Sequence, residues 1–319
     1  MRYNARVFSL LGQSGSIFGI SLLEQVQTRK NLLVLSADMS TTAGLDKFKA
    51  KYPDRFVNVG IAEQNMIGIA AGLTDEGWKT VSVTQACFIS MRCFEQIRQY
   101  CGYMGGKQII VGLASGFSLS FLGNTHYALE DIALMRTIPG MTVIAAADAM
   151  EAVKIFEAAL DENHPVYIRL YGGTNTPVVY SSNFEYKIGK AIKLKDGNDI
   201  QLVATGSMVS HALNVSKALE KEGIKASVVD MHTIKPLDTS VIDLNAKLIV
   251  TLEEHFTTGG LGSAVADFLS EEEEHPALYK IGVNDSFSVV GDYEFLMKSN
   301  HLDDESIIDT IMGQLKGGK

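Results

Sequence analysis

Phe56-Val57-Asn58-Val59-Gly60-Ile61-Ala62-Glu63-Gln64-Asn65-Met66-Ile67-Gly68-Ile69-Ala70-Ala71-Gly72 changes its period part-way along. Up to Gly60 the apolar residues alternate, which predicts a strand. Beyond it Met66, Ile69 or Ala70, and Leu73 recur on one stripe of a helix. Glu63 then falls just past a strand, in a first helical turn, where open parallel sheets bind ligands. Gly68 and Gly72, four apart, predict close approach of this helix to another backbone. Held among Ile61, Ala62, Met66 and Ile67, the Glu63 carboxyl is expected to lack water and to have a raised pKa. A solvent-facing first-turn glutamate, favoured by the helix dipole, satisfies the same pattern.

The remainder of the chain repeats this strand–helix alternation. Asn31–Leu35, Thr80–Val83, Lys107–Val111, Met141–Ile144 and Val166–Leu170 read as strands, with helical patterns between them. Asp148 and Glu151 form a capping box that opens a helix over Ala149–Leu160. A second series begins at Ile200–Ala204 and recurs at Ala226–Val229, Leu248–Leu252 and Leu278–Val283. The expected fold is α/β, as two consecutive three-layer domains with mostly parallel sheets. The division falls at residues 1–180 and 190–319, joined by 181–189 in a stretch with glycines, Pro177 and Ser181-Ser182-Asn183. Thr257–Ser263, rich in glycine before a helix, suits either an anion at the helix N-terminus or close helix–strand packing, and packing is the favoured reading. Glu271–Glu274 reads as a solvated helix end, and His255, with no visible partner, as structural.

Composition narrows the function classes. A 319-residue chain is natural for two domains, and 46% hydrophobic with 20% charged residues describes an ordinary globular protein. A net charge of −9 argues against a nucleic-acid surface. Cys87, Cys93 and Cys101 form no CxxC pair, which points to a reducing, cytoplasmic setting. Arg2 and Arg6 precede an apolar run, Val7 to Leu23, that mimics a signal peptide. Gln13, Ser14 and Ser16 interrupt it, so a buried amphipathic helix is expected and no membrane association.

Gly60-Ile61-Ala62-Glu63-Gln64-Asn65-Met66, the Thr84–Arg98 segment and His126-Tyr127-Ala128-Leu129-Glu130-Asp131-Ile132-Ala133 together resemble the ordered blocks of transketolases, from about Ser14 to the C-terminus. The resemblance implies a thiamine diphosphate-binding superfold followed by a transketolase C-terminal-like domain. It implies that Glu63 shares a proton with N1′ of the aminopyrimidine and that Phe88 stacks on that ring. Asp38 and Met39, in the Ser36-Ala37-Asp38 loop, would lie beside the cofactor, and His126 and Thr42 would bind the substrate. His126 would hold substrate hydroxyls and shuttle a proton. The plainer readings are a loop whose only role is a helix cap by Ser40, Thr41 or Thr42, core filling for Phe88, and an N-terminal helix position for His126. Gln85 and Met91 replace residues that are aromatic in many transketolases, so the ring cage is thinner or completed by a partner.

Two departures from the family pattern matter. No Gly-Asp-Gly occurs, and Asp196-Gly197-Asn198-Asp199 reads as a turn between strands, so no metal site is expected on this chain. Magnesium and the cofactor's diphosphate would be bound by a separate N-terminal transketolase subunit, in an assembly of two copies of each chain. The phosphate clamp of sugar-phosphate transketolases also falls on Gly15, Thr42, Ala114 and Gly172, with Leu122 where an aspartate usually reads a hydroxyl. A donor ketose with a sulfonated, branched or unphosphorylated terminus is then expected, or an anion held instead by Arg169 or Arg92. Two rival readings are the β chain of a 2-oxo acid dehydrogenase and a non-catalytic scaffold or regulatory subunit. Leu129–Ala133 speaks against the first, and retention of Glu63 with Phe88 against the second.

Overall fold

The computed structural model describes residues 4–317. Its strands are β1 Leu32–Ser36, β2 Phe56–Asn58, β3 Lys79–Gln85, β4 Ile109–Ser115, β5 Thr142–Ala145, β6 Val166–Tyr171, β7 Ile192–Lys195, β8 Ile200–Ala204, β9 Ala226–Asp230, β10 Thr233–Lys235, β11 Leu248–Phe256 and β12 Ala277–Val283. They form two sheets, ordered β10-β5-β6-β4-β3-β1-β2 and β12-β11-β8-β9-β7. All pairings are parallel except those of the edge strands β10 and β7.

Strand β1 shows why the central strands read as unbroken apolar runs. All five of its residues are buried, because successive side chains point to opposite faces and both faces are covered. Leu32 and Val34 join Phe18, Leu22, Ile155 and Phe156 from helices Phe18–Thr28 and Ala149–Ala159. Leu33 and Leu35 face Met66, Ile67 and Ala70 of helix Glu63–Asp75. The second sheet is sandwiched likewise, with Val209, Ala212 and Val215 on one face and Leu261 and Val265 on the other.

Several sequence expectations change. Among the described residues helix Glu63–Asp75 makes no close backbone approach through its glycines: a Cβ at Gly68 would meet only the Tyr100 side chain at 3.9 Å, and one at Gly72 nothing within 4 Å. Asp148 caps its helix by accepting from Glu151 N at 2.9 Å, but the Glu151 carboxylate reaches back to Ala147 N rather than to the cap residue. The N-terminal run forms helix Ala5–Leu11, a wide-turn segment Gly12–Ile17 kinked at Gly15, and helix Phe18–Thr28. Ala5–Thr28 is long and apolar enough to cross a membrane, yet Phe8, Ile17, Phe18, Leu22 and Val26 pack into the protein core. Arg2 lies outside the described residues. The three cysteines are free and buried, and burial pushes each thiol up to about 12.

The helix N-terminus at Gly260 is filled from within the chain. Glu253 accepts from Leu261 N and Gly262 N at 2.7 Å each, and a Cβ on Gly260 would collide with its Oε2 at 1.9 Å. Burial raises this carboxyl to about 7. His255 does have partners: Nδ1 lies 2.7 Å from Phe256 O, and Nε2 accepts from Ala133 N at 3.3 Å. Burial lowers it to about 4, so it stays neutral.

The two halves are joined by more than the connecting segment. Strand β10, from the second half, closes the first sheet by pairing antiparallel with β5, and Ala145 N donates to His232 O at 2.9 Å. Beside it Tyr180 OH donates to Asp230 Oδ2 at 2.7 Å, while Asp148 accepts from Val179 N and Tyr180 N. Burial raises the neighbouring Glu151 and Asp230 carboxyls, Asp230 to about 7, with repulsion from Asp230 adding to the rise at Glu151.

Candidate active site

Strands β2, β1, β3 and β4 are consecutive in the first sheet and parallel. Their carboxyl ends therefore open on one side, and each feeds a candidate residue into the same edge of the sheet. Asn58, ending β2, fixes two of these connections. Its Oδ1 accepts from Asp38 N at 3.0 Å and Gly60 N at 3.1 Å, and its Nδ2 donates to Asp38 Oδ1 at 3.2 Å. Asp38 sits at φ 56, a left-handed conformation that aspartate tolerates better than most residues. Met39, half-buried, donates its N–H to Ser36 Oγ at 3.1 Å. Neither Asp38 nor Thr42 caps the next helix: its N-cap is Leu45, without a side-chain bond.

Glu63 is the first residue of its helix and only 3% exposed. Its surround differs from the expected apolar one. Ile61 points outward, 79% exposed, and the carboxylate Oε1 accepts from Arg92 Nη1 at 2.7 Å. The Arg92 guanidinium also lies over the Phe88 ring, 4.3 Å from its centroid. Phe88 is half-buried and meets His126 edge-on, with centroids 5.3 Å apart. The His126 Nδ1 lies 2.9 Å from Thr125 Oγ1. Gln64 completes the group by donating Nε2 to Arg92 O at 3.0 Å. Glu63, Arg92, Phe88 and His126 thus form one connected cluster, assembled from three segments.

The positions of the missing clamp also converge. Ser14 Oγ donates to Tyr171 O at 2.6 Å and accepts from Ala114 N at 3.2 Å, which draws its neighbour Gly15 toward Ala114 and Gly172. A Cβ on Gly15 would meet Thr42 O at 3.5 Å, an ordinary contact. One on Gly172 would sit 2.9 Å from Ala114 and Ser118, too close to be accepted unshifted. Thr42 is exposed and Leu122 is 41% exposed on the turn Ser120–Leu122.

Arg169 is excluded as a substitute anion holder. It is 3% exposed, its Nε donates to both oxygens of Asp131 at 2.9 and 3.1 Å, and its Nη2 donates to Ala128 O and Glu254 O. Tyr167 OH donates to the same Asp131 at 2.8 Å. Arg169→Met would strand a buried carboxylate, so a stability loss of about 3–5 kcal/mol is expected from the denaturant midpoint. An unchanged midpoint would refute the structural role.

Sequence reasoning missed the Arg92–Glu63 pair and the role of Glu254. The latter accepts from Phe117 N at 2.6 Å and from Tyr293 OH at 2.9 Å, tying the loop after β4 to the second half. Three consecutive ionisable residues, Glu253-Glu254-His255, ending an apolar run were the available signal, because buried charges need partners.

The family model described as transketolase, pyrimidine binding domain matches residues 14–173, and that described as transketolase, C-terminal domain matches 189–307. This chain belongs to the transketolase family. Over nearly its whole length it matches proteins that are separate subunits of split transketolases. It is 36% identical to a subunit of the apulose-4-phosphate transketolase of Phocaeicola vulgatus, covering 94% of this chain and 96% of that one. It is also 36% identical to a subunit of 6-deoxy-6-sulfo-D-fructose transketolase from Clostridium sp., over 90% and 89%. Among solved structures it resembles a split-gene transketolase described as an inactive beta4 tetramer, at 37% identity and TM-score 0.85, covering 95% and 98%.

The cluster in this transketolase subunit fits the pyrimidine end of the family's cofactor. Its buried carboxylate and aromatic face already hold a flat, N–H-donating cation, the Arg92 guanidinium. Among the described residues no three His, Cys, Asp or Glu side chains come together as a group that could hold a metal ion.

Proposed function

We propose that this chain is the pyrimidine-binding half of a thiamine diphosphate-dependent transketolase, active only with a separate N-terminal subunit, as two copies of each in the cytoplasm. The observation that carries this reading is the buried helix-start carboxylate of Glu63 and the ring of Phe88, both held by the one Arg92 guanidinium. When bound, thiamine diphosphate supplies the electron sink for cleaving and remaking a bond beside a ketose carbonyl. Glu63 holds a proton at its carboxylate, opposite N1′ of the aminopyrimidine. Phe88 orients that ring by stacking, and Asp38 and Met39 line the loop beside it. His126, against the edge of Phe88, offers a ring nitrogen to substrate hydroxyls and moves a proton there. Thr42 offers the one side-chain hydroxyl among the four clamp positions.

Magnesium and the diphosphate are assigned to the partner subunit. The donor is a ketose whose terminus is not an ordinary phosphate-clamp ligand, and the acceptor an aldose phosphate. Two relatives named for apulose 4-phosphate and for a sulfonated fructose support that choice. The test is assembly. Isolated, the chain is expected to show no micromolar calorimetric binding of thiamine diphosphate with Mg²⁺ and no ketose turnover, whereas mixing with the N-terminal subunit restores both. Micromolar binding by the isolated chain would sink the split-site reading.

A further inference from the structure

We infer that Arg92 is a latch, an internal stand-in for the cofactor's ring that must leave before the ring can seat. The inference rests on the proposed function and adds a barrier to it. Three observations converge on the one guanidinium. It donates to Glu63 Oε1 at 2.7 Å. Its central carbon sits over the Phe88 ring, 4.3 Å from the centroid. Its side chain is 45% exposed, whereas that of Glu63 is 4% exposed.

A guanidinium is planar, stacks on aromatic faces and carries N–H donors in its plane. An aminopyrimidine that has taken the shared proton at N1′ and stacks on Phe88 presents the same features to Glu63: a plane, an in-plane donor and a π face. The two therefore compete for the same carboxylate and the same aromatic surface. His126 meets Phe88 edge-on and gives no second stacking platform. Gln64 holds the Arg92 carbonyl, so the backbone stays in place while the side chain, half in solvent, swings.

An exposed arm is the economical place for such a contact. While closed, it neutralises a buried carboxylate and covers an aromatic ring. Opening returns the guanidinium to water, and the incoming ring takes its place on the buried carboxylate, so cofactor binding is weakened without being blocked. A ligand binding only the open form loses apparent affinity in proportion to the fraction of chains in that form.

The experiment uses the complete complex with its N-terminal subunit. Thiamine diphosphate with Mg²⁺ is titrated calorimetrically into wild type and Arg92→Ala, with melting curves of both. Arg92→Ala is expected to bind roughly tenfold more tightly, equivalent to about 1.4 kcal/mol. Should Arg92→Ala fail to assemble, Arg92→Gln carries the same expectation, since it keeps bulk but loses the charge and most of the plane. Unchanged or weaker binding by the assembled variant would overturn the latch and make Arg92 a support of the bound state. A wild-type complex that binds no thiamine diphosphate would instead overturn the proposed function, and the latch with it.

Discussion

Replacing Glu63 by glutamine is expected to cut turnover of the reconstituted pair by ~10²–10⁴-fold, the range that positioned acid–base groups contribute, with little change in folding. The amide keeps the size of the side chain at the first helical position, where Glu63 is 3% exposed. Its carbonyl can still accept from Arg92, so packing survives. What is lost is a group able to take up and return a proton, because an amide does neither near neutral pH. A steady-state assay beside a melting curve separates the two effects. Activity within a few-fold of wild type would remove Glu63 from the mechanism, whatever the melting curve showed.

The second large effect concerns the donor. With Gly15, Thr42, Ala114 and Gly172 converging at the carboxyl ends of the strands, a ketose phosphate arrives where its usual cationic anchors are missing. Contacts to charged groups are worth about 1.5–3 kcal/mol each. Losing two lowers kcat/KM by roughly two to four powers of ten, because remote binding energy orients the reacting carbons. Xylulose 5-phosphate is thus expected to trail the best alternative donor in a panel run with a common aldose phosphate acceptor. Equal kcat/KM for the two would show that an anion site exists elsewhere. The burial of Arg169 against Asp131 removes it from the residues able to supply that site. Nor is the clamp restored by simple substitution at Gly172, where a Cβ would press on Ala114 and Ser118.

The parts legible in the sequence are those governed by local period and by ordered motifs. Buried parallel strands such as β1 and β9 announce themselves as apolar runs because both faces are covered. The capped helix at Asp148 follows from side-chain chemistry within four residues. Strands β7 and β10 leave no such mark. They are four and three residues long, antiparallel and at sheet edges, and their pairing depends on segments far away in the chain. The same limit hides the electrostatics of the site. Glu63 and Arg92 are 29 residues apart, a spacing with no structural period. The apolar neighbours of Glu63 in sequence, Ile61 among them, are not all of its neighbours in space. Similarly, His255 looks solitary in the sequence because its partners, Phe256 O and Ala133 N, are backbone atoms.

Strand β10 also limits how this polypeptide can be divided. Severing the chain near residues 181–189 would not release two self-sufficient pieces. The leading fragment would lose the strand that shields β5, leaving a bare row of amides and carbonyls open to any passing strand. It would also lose Asp230, the acceptor for Tyr180, and His232, whose carbonyl takes the Ala145 amide. A trimmed pyrimidine-binding fragment is therefore a poor reagent for dissecting this enzyme. The smallest dependable unit extends at least through Lys235.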